Sequence, residues 1–209
     1  MIKKDTKIAV LGAGAMGCLF GGLMAEKGLD VVLIDVWKDH VDAINRNGLK
    51  IDGHGGDRFI KVKATTDPAS LSPVDAIIVM CKATALQTAL TNAKNIIGEK
   101  TMLMSFQNGI GHEAIMQEIA GKDKVLGGTT TQASNIVGPG HIKNHAALPS
   151  WIGEYEGGMS NRVSDLAETF TAYNLETIAA TDIKKRKWMK LFALTAIGPL
   201  SSVFDLHHT

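Results

Sequence analysis

The stretch Lys7-Ile8-Ala9-Val10-Leu11-Gly12-Ala13-Gly14-Ala15-Met16-Gly17 decides how the rest of the chain reads. Its first five residues make a short, largely apolar run, and its last six fit G-x-G-x-x-G. A strand that enters such a turn and a helix that leaves it gather backbone N–H groups around an anion. Gly12 permits the tight turn, Gly14 lets the backbone approach a pyrophosphate, and Gly17 lets the helix pack on the strand. Ala13, Ala15 and Met16 complete the loop. The helix is expected to run to about Lys27 and close at Gly28, with a second strand from Asp30 to Asp35. Asp35 follows Gly17 by 18 residues, the place where a carboxylate accepts a hydrogen bond from a ribose hydroxyl. Strand, loop, helix and acid in this order point to a dinucleotide. The carboxylate repels a 2′-phosphate and so favours NAD over NADP. Lys38 offers a partial offset that admits NADP, against the plainer reading of a solvated loop lysine.

Outward from this unit, apolar runs alternate with amphipathic stretches, as in a parallel sheet with crossover helices. Strands are expected at 75–80, 102–106, 125–128 and 176–179, and helices at 39–47, 83–97, 112–120 and 159–173. Glycines 53, 55 and 56 suggest a small hairpin on the sheet edge within 49–64, and Gly138-Pro139-Gly140 a second one appended within 129–152. From Asp182 the texture changes. A helix carrying Trp188, Leu191, Phe192, Leu194 and Ile197 is expected, capped by Asp182 and kinked or ended at Pro199. The fold class is therefore α/β, a Rossmann-type dinucleotide-binding domain over 1–180. Residues 181–209 read as the first helix of an all-α substrate or dimerisation domain, cut short, with a partner chain or a missing half covering its apolar face.

Lys+Arg number 22 against 21 Asp+Glu, so bulk charge gives no reason to expect nucleic acid or an anionic membrane. The basic run Lys184-Lys185-Arg186-Lys187 reads as a solvated helix face. The polar start and the want of a 20-residue apolar run speak for a cytoplasmic chain without a membrane segment. Cys18 and Cys81 read as buried free thiols, and the histidines, His112, His141, His145, His207 and His208 among them, show no metal-ligand spacing.

Three further residues carry candidate chemistry. Lys82 and Asn108 follow the expected strands at 75–80 and 102–106, at the carboxyl edge where open α/β sheets bind ligands. Asn108-Gly109 also reads as a simple turn. Lys190 lies two turns into the last helix, where a partly desolvated ammonium can protonate a developing alkoxide and hold a carboxylate. Its alternative is membership of the neighbouring basic face.

Several segments in order resemble the ketopantoate reductase (2-dehydropantoate 2-reductase) family: residues 8–17, Val79-Met80-Cys81-Lys82, Gln107-Asn108-Gly109, Gly128-Thr129-Thr130-Thr131, Gly138-Pro139-Gly140-His141-Ile142 and Trp188-Met189-Lys190-Leu191, leading to Gly198-Pro199-Leu200. The resemblance implies NAD(P)H-dependent reduction of a 2-oxo acid to a 2-hydroxy acid, of the pantothenate-biosynthesis type, in a cleft between a Rossmann domain and a helical domain. It implies Lys190 as the catalytic and substrate-holding lysine, Lys82 and Asn108 as cleft residues, and Ala133 as a backbone contact to the cofactor. It also implies a homodimer through the helical region. The family's substrate-binding asparagines fall here on Leu194, on Gly198 and near His208, so the expected substrate differs from ketopantoate or is broader. A carboxylate and a serine would come from later in the helical domain. The rival expectation is a relative that binds the dinucleotide without turnover.

Overall fold

The computed structural model describes residues 6–203. Along the chain run β1 (Lys7–Leu11), α1 (Ala15–Glu26), β2 (Asp30–Ile34), α2 (Lys38–Asn47), β3 (Leu49–Gly53), β4 (Arg58–Ile60) and β5 (Lys63–Thr65). There follow β6 (Val74–Val79), α3 (Leu86–Asn92), β7 (Ile97–Ser105), α4 (His112–Ala120), β8 (Val125–Thr130), β9 (Ala133–Gly138) and β10 (His141–Ala146). The chain continues with β11 (Ser150–Glu154), α5 (Asn161–Ala172), β12 (Thr177–Ala179) and α6 (Ile183–Val203).

One sheet has the order β12-β11-β8-β7-β6-β1-β2-β5. From β5 through β8 all neighbours are parallel, while β11 runs antiparallel to β8. The chain order along the sheet reverses between β1 and β6, which opens a crevice beyond their carboxyl ends. This is the expected α/β architecture, with its ligand edge at the glycine loop.

The two expected hairpins form, but neither joins the edge of this sheet. They pair with each other in a second sheet, β4-β3-β10-β9, through the parallel register of His141 with Lys50 and Ile142 with Ile51. The reason lies in α1, whose Cys18, Leu19, Phe20, Leu23 and Met24 are all buried, so the helix needs cover on both sides. Gly21 faces Leu33 of the main sheet, and Gly22 faces Ile51 and Leu49 of the second. Each large apolar side chain fully buried in this way stabilises the fold by about 1.5–3 kcal/mol.

Three other expectations change. The helix expected over 83–97 is α3 alone, flanked by 3-10 turns, and β7 starts at Ile97. Asn95 accounts for this, since its side-chain amide donates to the carbonyls of Pro68 (3.0 Å) and Leu71 (2.9 Å) and draws the chain out of the helix. α6 does not end at Pro199 but runs through it to Val203. Cys18 is buried as expected, whereas Cys81 is only half-buried because it stands where the sheet opens at the end of β6.

Candidate active site

Gly12 has φ +100°, and a Cβ there would lie 2.3 Å from the Cys81 backbone nitrogen. The loop therefore rests on the chain leaving β6, held by Met80 N–H and Cys81 N–H donating to Leu11 O (2.8 and 3.0 Å). A Cβ on Gly17 would come within 1.9 Å of Gly12 O, so loop and helix meet backbone to backbone. Gly14 is the opposite case. It caps α1 with no side-chain bond, and nothing lies within 4 Å of where its Cβ would be. This is an open helix N-terminus of the kind that takes a phosphate group.

Gly12→Ala is expected to lower stability by about 2–4 kcal/mol, from positive-φ strain plus a clash with immovable backbone. Gly28→Ala, at φ +91° with open space around it, carries only the strain. Urea unfolding of both variants separates the two effects, and equal losses would remove the close approach of Gly12 as a cause.

A cavity of about 340 Å³ opens beside the loop. It brings together Met16, Lys82, Asn108 and Lys190 from four distant stretches, with Gln107 and Gln132 between them. Lys82 and Asn108 are exposed at its rim. Asn108 therefore belongs both to a turn, with Gly109 at φ +96°, and to the cavity wall. Lys190 donates to Thr130 O at 2.6 Å, at the carboxyl end of β8. Burial, and next the Lys187 ammonium, hold its pKa below that of an ordinary lysine.

Asp35 lies half-buried at the end of β2, outside this cavity, and accepts from Trp37 N–H at 3.0 Å. Lys38 is turned away to Asp42, with Nζ 2.5 Å from its carboxylate. Ala133 is exposed at the start of β9 and does not line the cavity; its neighbour Gln132 does. Leu194, 37% exposed, lies one turn beyond Lys190 on the same face of α6 and does not line the cavity, while Trp188 and Phe192 are exposed on the opposite face. Gly198 falls within α6, and the position near His208 lies outside the described residues.

Sequence reasoning did not reach the groups that hold these residues in place. Gln107 donates to Cys81 O (2.6 Å) and accepts from Ser105 Oγ (3.0 Å), which ties the ends of β6 and β7 and sets Asn108. Gln132 is buried with Oε1 unpartnered among the described residues. His40 accepts from Gly140 N–H at Nδ1 (3.0 Å) and meets Cys18 Sγ at Nε2 (3.2 Å). Cys18 in turn donates to Ala13 O (3.1 Å), so the loop, α2 and the second sheet share one buried contact. Burial lowers the His40 pKa and keeps the ring neutral, while it raises the Cys18 thiol. The Cys81 thiol is pushed up, by burial first, to about 11, so neither is a ready nucleophile. No cluster of three or more His, Cys, Asp or Glu side chains that could hold a metal occurs among the described residues.

A sequence model of the family described as ketopantoate reductase PanE/ApbA matches residues 8–157. This chain belongs to that family. Among the ketopantoate reductases it is 38% identical over 200 residues to the 2-dehydropantoate 2-reductase of Pyrococcus horikoshii, covering 96% of this chain and 64% of that protein. The 2-dehydropantoate 2-reductase of Pyrococcus abyssi is likewise 38% identical, over 96% and 65%. The chain thus spans just under two thirds of the length of these curated relatives. Among solved structures, 2-dehydropantoate 2-reductase from Geobacter metallireducens superposes with a TM-score of 0.90 at 28% identity, over 95% of this chain and 66% of that one. A ternary structure of D-mandelate dehydrogenase with NADH and anilino(oxo)acetate superposes equally well, TM-score 0.90 at 27% identity, over 95% and 64%. No helix among the described residues is long and apolar enough to cross a membrane.

Proposed function

We propose that this chain reduces a 2-oxo acid to the matching 2-hydroxy acid with a nicotinamide dinucleotide. The observation that carries the reading is the meeting of Lys190 with Lys82 and Asn108 at one cavity beside the glycine loop. Residues 12–17 hold the pyrophosphate, and Asp35 takes the ribose. Asn108 and the backbone around Ala133 line the path toward the nicotinamide. A reduced nicotinamide bound there supplies the hydride. Lys190 carries three N–H donors, one of them on Thr130 O, which leaves two for a substrate carboxylate and the keto oxygen. Its half-buried ammonium gives up a proton to the developing alkoxide more readily than a solvated lysine does. Lys82 adds positive charge at the rim for the acid.

The domain reading fits the same picture, with residues to about 180 holding the cofactor and α6 opening a helical unit that completes the substrate side or joins two copies. Leu194, where the family places an amide, removes a polar contact of roughly 1–3 kcal/mol, so a substrate other than ketopantoate, or a broader set, is proposed. Oxidation of NADH and NADPH against a panel of 2-oxo acids that includes ketopantoate tests the reading. Turnover on at least one is expected. Cofactor binding with turnover on none would sink the reductase and leave a dinucleotide-binding relative.

NAD is the preferred form. Asp35 keeps carboxylate capacity to accept from a 2′-hydroxyl, and Lys38, the cation three residues on, is already paired with Asp42. Asp35→Ala is expected to weaken NADH binding while sparing or improving NADPH binding, read as Kd by fluorescence titration. An unchanged NADH-to-NADPH ratio would remove the basis of the preference.

A further inference from the structure

We infer that the buried ion pair between Glu113 and Lys187 is a positioning element of this site, which joins the two walls of the cavity and sets the charge beside Lys190. The inference rests on the reading of Lys190 as the proton donor. Lys187 Nζ donates to Glu113 Oε1, and the two side chains are 3% and 0% exposed. Glu113 is the second residue of α4, which follows directly on the Asn108 turn. Lys187 precedes Lys190 by one helical turn and so shares its face of α6. The pair therefore connects the wall that carries Asn108 to the wall that carries Lys190.

Stability alone does not call for it. Glu113 Oε2 is buried with no partner among the described residues, and a buried pair with an unsatisfied oxygen is often matched or bettered by apolar packing. α6 already has such an anchor, because Ile183 is fully buried against Gly127 and Gly153. What an apolar contact cannot do is hold a cation one turn from Lys190. The other titratable groups around the pair and this end of the cavity include His112 on α4, Tyr155 after β11, and Cys81 and Lys82 after β6. Burial first, and then Lys187, lower the His112 pKa, with Glu113 opposing them. Lys187 is thus the charge that pushes Lys190 below the ordinary lysine range, after burial itself.

The test follows Lys190 directly, by NMR titration of the full chain labelled with [13Cε]lysine and assigned with a Lys190→Arg variant. In the native chain Lys190 is expected to titrate below an ordinary lysine. In Glu113→Gln/Lys187→Met, which deletes both charges at similar volume, its midpoint should move up, and in Lys187→Arg it should stay near the native value. Glu113→Leu/Lys187→Leu serves as a second pair-less protein should the first not fold. An ordinary lysine midpoint in the native chain, or an unmoved midpoint in a folded pair-less variant, overturns the inference. Where turnover is found, the alkaline limb of kcat/KM must move with the NMR midpoint. Absence of any turnover defeats the reductase reading instead, while the titration still decides the pair's effect on Lys190.

Discussion

Lys190→Ala is expected to lower turnover about 100- to 10,000-fold, the usual contribution of a positioned general acid, while NADH affinity stays close to native. The side chain reaches the cavity from α6, and among the described residues its hydrogen bond goes to Thr130 O rather than to the glycine loop. Its removal should therefore cost chemistry and substrate binding rather than dinucleotide binding. The same residue fixes the pH dependence. A proton donor works while protonated, so kcat/KM is retained below the Lys190 pKa and lost as pH rises through it. Burial and Lys187 lower that pKa, so the alkaline limb should fall below where an ordinary lysine would place it. Steady-state kinetics from neutral to alkaline pH, with the NADH Kd measured in parallel, check both parts. Near-native turnover in the alanine variant would take Lys190 out of the reaction.

The parts of this site legible in the sequence are those fixed by local rules. Glycine spacing and an apolar run placed the loop between β1 and α1. The same kind of run placed β6, and with it Lys82 at the cavity. Long-range pairing was not legible. Gly53–Gly56 and Gly138–Gly140 mark turns, but nothing local says that β3 lies beside β10, about 90 residues away. The signal was indirect, since Cys18-Leu19-Phe20-Gly21-Gly22-Leu23-Met24 is apolar all round and such a helix needs cover on two sides. Lys184 to Lys187 misled in a similar way. Four successive residues wind most of the way round a helix, so they cannot share one solvated face. Lys184 sits over the Tyr155 ring and Arg186 over Trp151, whereas Lys187 turns inward. Ile183, Lys187 and Lys190 fall at i, i+4 and i+7, and that spacing would have set Lys187 apart from its neighbours.

Breaking the Glu113–Lys187 pair, the most buried ion pair among the described residues, from one side should give a large loss of stability. Lys187→Met leaves a carboxylate fully buried with neither oxygen partnered, a loss of about 3–5 kcal/mol. Deleting both charges together removes that penalty, so Glu113→Gln/Lys187→Met should recover most of it, and Glu113→Leu/Lys187→Leu should approach native stability. The order is the informative part. If lost packing of the long lysine stem were the cause, the double variants would be no better than Lys187→Met. If the uncompensated charge is the cause, the second substitution rescues the first. Urea unfolding of the four proteins at one pH reads the order directly, with the coupling energy of the cycle as its measure. A pair that the double variants show to be dispensable for stability, and whose loss still moves Lys190, is held in the fold for what it does to the neighbouring ammonium.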